Sequence, residues 1–272
     1  MRNPVLPAAP VAHPAWRDDT RSWPAITIKG LTKHFGTAPL YESFDLDIPR
    51  HRITAIFGPN GCGKSTLINM VAGLMPYERG EVLFDGKSLK DTQIGYVFQN
   101  YRDALFPWRR AVDNIRYPLL RMGLPRAEVN RRVEQMVASF EVGFDLNRYP
   151  YELSGGQQQL VSIMRALAPE PEVLFLDEPF SALDYEMTLF IRERLQKVFM
   201  DTGTTTVLVS HDLEEAVFLS DLIILLTKRP TRVAELIDFG ATRPRTVATL
   251  SSPDFVATKA RTLEVFQTEV RR

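Results

Sequence analysis

Cysteine is almost absent from this 272-residue chain, with Cys62 the only one. A lone thiol can close no internal disulfide and offers a metal no thiolate cluster, so the fold must rest on a packed core. Net charge is absent too: 33 Lys and Arg offset 33 Asp and Glu. No overall field draws the chain onto nucleic acid, and no nucleic-acid partner is expected. Long apolar runs are also missing. A membrane span needs roughly 20 apolar residues in succession, whereas the best run, LIILL at 222–226, gives way to Thr227, Lys228 and Arg229. The chain is therefore not expected to cross a bilayer unaided. No solenoid or propeller period repeats. What remains is an ordinary folded composition, 44% hydrophobic and 24% charged, long enough for one large α/β unit with a smaller inserted lobe.

The first 24 residues carry Pro4, Pro7, Pro10, Pro14 and Pro24 without apolar periodicity or a signal-peptide core, which reads as a flexible extension. From Ile26 strand-like and helix-like segments alternate. ITAIF, EVLFDG and IGYVFQ are short apolar runs, and EVLFLDEP (172–179), TTTVLVSH (204–211) and DLIILLT (221–227) are β-branched and leucine-rich. Strands of that kind belong inside a doubly wound sheet, buried on both faces. Residues 100–150 differ: Val129, Val133, Met136, Val137 and Phe140 form one helical stripe and no strand stands out, which predicts a helical insertion. Asp184 and Gly203 bracket a further helix whose inner face is Met187, Ile191, Leu195, Val198 and Phe199. A last helix starts at Ser252 and Pro253, with Val256, Ala260, Leu263, Phe266 and Val270 as its expected inner stripe.

Residues 57–66 read FGPNGCGKST. Gly58, Gly63, Lys64 and Ser65 satisfy the G-x-x-x-x-G-K-[ST] spacing, with a strand before and a helix after. Glycines let successive backbone N–H groups turn inward as an anion nest, and the helix start presents unpaired amides to the same point. The helix terminus contributes roughly 0.3 to 2 kcal/mol. A lysine ammonium about 4 Å from a phosphate oxygen contributes about 4 kcal/mol at an effective dielectric of about 20, so the lysine dominates. Ser65 can offer its hydroxyl to Mg²⁺. Cys62, beside a lysine and a helix start, invites a redox reading, against which it reads as a small residue filling the loop.

Residues 153–157 read LSGGQ and open a second helix, another seat for phosphate. Asp177 and Glu178 end the apolar strand VLFLDEP, and His211 follows the next strand. Together these motifs resemble the ATP-binding-cassette (ABC) ATPases from Ile26 to about Thr227. The resemblance implies a P-loop NTPase core with an antiparallel β subdomain and an inserted α-helical subdomain. The cassette would span residues 25–245, with the helical insertion at about 100–153 and a C-terminal helix within 246–272 packed on the core. It further implies that ATP is held by Gly58, Pro59, Asn60, Gly61, Cys62, Gly63, Lys64, Ser65 and Thr66. Mg²⁺ would be held by Ser65, Gln99 and Asp177. Glu178 would polarise the attacking water, with Lys64, Gln99 and His211 as the other catalytic side chains, and Phe35 would lie on the adenine, unless it is a core aromatic. SALD at 181–184 matches the family's D-loop.

In-line phosphoryl transfer needs charge stabilisation from more than one side. The family's arrangement is a head-to-tail dimer in which Ser154, Gly155, Gly156 and Gln157 of one subunit close over ATP held by the other. The partners so implied are a second ABC ATPase subunit, integral membrane permease subunits and, indirectly, an extracytoplasmic solute-binding protein. The place implied is the cytoplasmic face of the inner membrane. NYRDALFPWRR puts Leu105, Phe106 and Trp108 in a loop with little local reason to be apolar, which marks a docking groove for the permease or packing under the helical lobe. LFPWRRAVDNIRYPL, RYPYELSGG and KRPTRVAELIDFGATRPR resemble the nitrate, sulfonate and taurine importer subgroup. Gln157, Gln158, Gln159 and Leu160 depart from the Met-Arg-Gln-Arg of many relatives. The alternative reading is a cassette ATPase not coupled to transport.

Overall fold

The structure is a computed structural model that describes residues 24–181 and 183–271. The Pro-rich stretch expected to be an extension lies outside those residues except for Pro24, which opens a strand. In chain order, β1 (Pro24–Phe35) and β2 (Ala38–Pro49) form an antiparallel hairpin, β3 (Ile53–Phe57) starts a second sheet, and α1 (Lys64–Val71) follows it. β4 (Arg79–Phe84) returns to pair with β1, completing a three-stranded sheet in the order β2-β1-β4.

β5 (Ile94–Val97) leads into the helical stretch: α2 (Tyr101–Ala104), α3 (Ala111–Arg121), α4 (Arg126–Ser139) and α5 (Gly155–Leu167). Then come β6 (Val173–Asp177), α6 (Tyr185–Thr202), β7 (Thr205–Val209), α7 (Leu213–Leu219), β8 (Leu222–Leu226), β9 (Val233–Asp238) and α8 (Pro253–Arg271). The second sheet runs β5-β6-β7-β3-β8-β9, parallel except for β9.

All five residues are buried in each of β3, β6, β7 and β8, as both-face burial requires. Alternate residues serve different layers. Leu174, Leu176, Leu208, Ile223 and Leu225 pack with residues of α5, α6 and α7, while Val173, Phe175, Val207, Val209, Ile224 and Leu226 pack with α1 and the antiparallel sheet. Each such side chain contributes about 1.5 to 3 kcal/mol by leaving water. The expected helical lobe is present, and its core is continuous with that of the main sheet: Leu105, Ile115, Leu119, Val129, Val133 and Phe140 belong to the same cluster as Leu174 and Leu208. The buried Asn114 fixes the loop before α3, accepting from Phe106 N at 2.8 Å and donating to the Phe106, Arg109 and Arg110 carbonyls.

The Asp184 carboxylate accepts from Met187 N at 2.8 Å and Gly203, at φ 62°, ends α6 as expected. Ser252 does cap α8, accepting from Phe255 N. The inner stripe expected for α8 is corrected. Phe255, Thr262 and Glu269 are buried with Phe266 half-buried beside them, whereas Val256, Leu263 and Val270 are 55%, 42% and 40% exposed. Two ring contacts set the roll of this helix, Phe255 on Phe239 at 5.8 Å and Phe266 on Phe57 at 5.2 Å, and they override the apolar spacing.

Arg245 locks the segment between β9 and α8. Its guanidinium is fully buried against the Phe239 ring, donates to the Phe218, Ser220, Phe239 and Ala241 carbonyls, and pairs with Asp221 at 2.8 Å. Burial, reinforced by the neighbouring Arg243, pushes its pKa down to about 10, still charged at neutral pH. Gln196 bonds both main-chain groups of the same residue. Removing one member of a buried pair costs about 3 to 5 kcal/mol. Arg245→Met is accordingly expected to lower the unfolding free energy by that amount, read as a lower urea midpoint at an unchanged m-value; a loss under about 1 kcal/mol would show that the lock carries no weight.

Candidate functional site

The glycine loop leaves the C-terminal end of β3 between β7 and β8. At Gly58 a Cβ would stand 2.9 Å from the Leu226 carbonyl oxygen, and at Gly63 (φ 102°) it would stand 2.9 Å from the Leu40 methyls, so neither position admits a side chain. Three side chains, none of them legible as site residues in the sequence, hold loop carbonyls outward. Tyr41 donates to Gly63 O at 3.1 Å, Arg229 to Gly61 O at 2.7 Å and Thr231 to Cys62 O at 2.6 Å. Lys64 is buried, and its ammonium donates to the carbonyls of Gly58 (2.9 Å) and Pro59 (3.3 Å). Cys62 is also buried, and burial pushes its thiol pKa up in spite of Lys64. The thiolate reading thus gives way to the small loop residue.

Beside the loop, Ser65 Oγ donates to Asp177 Oδ1 at 2.8 Å. Tyr96, anchored on Asn69 at 2.7 Å, reaches Asp177 Oδ2 at 3.5 Å. Burial raises the Asp177 pKa, the neighbouring Glu178 adds to it, and the Ser65 bond opposes it. A carboxylate and a hydroxyl in contact, held in a site that disfavours negative charge, suit a hard divalent cation arriving with phosphate oxygens.

Glu178 follows the end of β6 with φ 46°, in the left-handed region where a side chain costs about 1 to 3 kcal/mol. Its amide bonds Val209 O at 2.9 Å. Gln99 Nε2 donates to Glu178 Oε2 at 2.9 Å, and His211 Nδ1 lies 3.1 Å from the same oxygen. Beneath His211 the buried Glu215, its pKa raised by burial, bonds Ser210 and pairs with Arg192 at 3.1 Å. Gln99, Glu178 and His211, dispersed over the sequence, are thus brought to one point, next to Ser65 and Asp177.

Phe35 lies at the tip of the β1–β2 hairpin, the same hairpin whose Leu40 and Tyr41 touch Gly63, and it is 46% exposed. It is therefore not the core aromatic. Among the described residues, Ser154 to Gln157 are not hydrogen-bonded into this cluster. Ser154 and Gln157 cap one another at the start of α5, and no hydrogen bond links any of the four to Lys64, Ser65, Asp177 or Glu178 among the described residues. In the SALD stretch Ser181 bonds Glu178 O at 3.1 Å, while Ala182 lies outside the described residues. The three residues expected to dock a permease divide. Leu105 is core and cannot present itself, because Asn114 and α3 hold its loop inward; Phe106 is half-buried against Tyr117 and Arg165; Trp108 is 71% exposed.

Known proteins share this layout. The family described as ABC transporter matches residues 41–181. The taurine import ATP-binding protein of Escherichia coli (strain CFT073) is 38% identical over 240 residues, 85% of this chain and 93% of that protein. The sulfate/thiosulfate import ATP-binding protein of Neisseria meningitidis (strain Z2491) is 38% identical over 213 residues, 74% of this chain; the match spans only 58% of that longer protein. A solved structure described as a dimeric post-hydrolysis ATP-binding cassette bound to ADP and Pi superimposes with a TM-score of 0.70 at 30% identity, covering 80% of this chain and all of the other. With this fold, this loop and these likenesses, the chain belongs to the ABC transporter family and is an ATP-hydrolysing cassette of the kind found in import systems.

Proposed function

We propose that this chain hydrolyses ATP as one half of a head-to-tail pair and passes the closing motion to a membrane permease at the cytoplasmic face, for import of a small solute such as a sulfonate, taurine or nitrate. The observation that carries the hydrolytic part is the convergence of Gln99 and His211 on one oxygen of Glu178, beside the Ser65–Asp177 pair and the Lys64 loop. Lys64 exchanges two neutral carbonyls for the β- and γ-phosphates, a gain in Coulomb energy. Ser65 and Asp177, with the Gln99 amide oxygen, would hold Mg²⁺, which when bound neutralises charge on those phosphates. Glu178 accepts the proton of the attacking water, Gln99 and His211 fix the carboxylate's direction, and His211 would meet the γ-phosphate. Phe35, exposed on the hairpin above the loop, is free to stack on the base.

The pairing part rests on the lack of any hydrogen bond, among the described residues, between Ser154–Gln157 and this cluster, and on the dimeric cassettes that the chain resembles. The import part rests on the relatives named for taurine and for sulfate/thiosulfate import. For docking, Trp108, supported by Phe106, is the candidate contact once Leu105 is set aside. A solute-binding protein outside the cell would meet the permease, not this chain.

Lys64→Ala is expected to weaken MgATP binding at least 100-fold by calorimetry, in line with the roughly 4 kcal/mol of a close ammonium–phosphate contact; unchanged affinity removes the reading of the loop. Glu178→Gln keeps a group able to bond Gln99 and His211 but no longer takes a proton. Turnover should fall by about 10² to 10⁴, and the protein should elute as a dimer in MgATP; persistent monomer at saturating nucleotide counts against the pair. Trp108→Ser should leave the ATPase of the isolated chain near wild type and abolish its stimulation by co-expressed permease, and normal transport in that variant discards the docking surface.

A further inference from the structure

Gly155 begins α5 without the positive φ that makes other glycines here irreplaceable. Space, and not torsion, demands the missing side chain. A Cβ at Gly155 would stand 2.6 Å from the Tyr101 hydroxyl, and one at Gly156 would stand 2.6 Å from Met187 Cγ. The turn Ser154–Gly156 is thus wedged between a residue that follows Gln99 by two and a residue in the first turn of α6.

Tyr101 is 4% exposed, and its hydroxyl is buried with no hydrogen-bond partner among the described residues. A buried tyrosine usually finds one. Suitable groups lie close by, because the first-turn amides of a helix have no partner within it. Arg165 of α5 donates to Ala104 O at 2.5 Å, fastening α2 to the helix that Gly155 opens. At the other end, Gln99 holds Glu178 at 2.9 Å. Only Asn100 separates Gln99 from Tyr101, at most about 7 Å of chain, so a backbone shift at Gln99 carries Tyr101 with it.

We propose that Tyr101 is a positioning residue that couples the two nucleotide sites of the pair: displacement of Gln99 at one site brings the Tyr101 hydroxyl into a hydrogen bond with the Gly155–Gly156 turn, setting the pose in which that turn closes over the other site. The proposal rests on the paired reading above and adds to it the element through which the sites communicate. A bond made only in the closed arrangement shifts the equilibrium toward it. Gly155 is then needed both to admit the hydroxyl and to leave its amide within reach.

Tyr101→Phe in the full chain removes the hydroxyl and keeps the ring. Four quantities are compared with the parent: MgATP affinity by calorimetry, thermal midpoint without nucleotide, the ATP concentration for half-maximal pairing in the Glu178→Gln background, and the Hill coefficient of ATP hydrolysis with Glu178 intact. Affinity is expected within twofold and the midpoint equal or higher, since an unbonded buried hydroxyl is lost. Half-maximal pairing should require roughly 5-fold more ATP, the worth of one ordinary hydrogen bond, and the Hill coefficient should fall toward 1. Unshifted pairing with an unchanged Hill coefficient overturns the proposal, and so does a lowered midpoint with unshifted pairing, which would give the ring a packing role alone. As a control on the contact, the thermal loss caused by Gly155→Ala should shrink in the Tyr101→Phe background, because the ring carbon Cζ is 3.7 Å from the new Cβ position; equal losses in both backgrounds also count against it. If Glu178→Gln with Tyr101 intact stays monomeric in MgATP, the paired reading itself fails, which distinguishes the two.

Discussion

A buried ammonium without a carboxylate partner is the constraint around which this chain is arranged. Lys64 rests on two peptide carbonyls, and no ion pair to it exists among the described residues. Burying an isolated charge is costly, and neutral acceptors return only part of that cost. The loop therefore has to be held by something other than its own cation. Tyr41 reaches it from the antiparallel sheet, Thr231 and Arg229 from the β8–β9 connection, and Leu40 fills the space against Gly63. The strands β3 and β8, buried on both faces, fix the height at which the loop leaves the sheet. In the proposed function, the counter-charge to Lys64 is the triphosphate of ATP.

The same logic orders the second half of the site. Helix α5 runs from the Ser154 cap into the main core, where Leu160, Ile163, Met164 and Leu167 are buried. Gln159 donates to Pro179 O at 2.7 Å, one residue past Glu178. Arg165 fastens α2. One helix thus carries the Ser154 turn, touches the segment just past Glu178 and floors the helical lobe. The lobe shares its core with the sheet and is not docked through a separate interface, so α5 packs against both at once.

Much of this was legible in the sequence. The five-residue strands announce themselves because burial on both faces forces mostly apolar, β-branched runs, and the loop because its glycines have a fixed spacing for a steric reason now visible at Leu226 and Leu40. The three-stranded sheet, the helical lobe and the P-loop core implied by the family resemblance stand as expected. What stayed hidden depends on long-range packing. The roll of α8 follows from Phe57 and Phe239, far away in sequence, and no periodicity within the helix contains it. Leu105 looks exposed until Asn114 is seen to pull its loop inward. Arg245 reads as an ordinary surface charge until Asp221 and five carbonyls close on it. Tyr101 and Met187 explain the two glycines of LSGGQ only when three separate segments are superposed in space.

Glu178 occupies a backbone conformation that glycine or asparagine adopts with less strain. A cassette relieved of the need to turn over would gain folding stability by exchanging this residue for one of those two. Under the role proposed for Glu178, loss of chemistry and relief of backbone strain lie in the same direction at this one position.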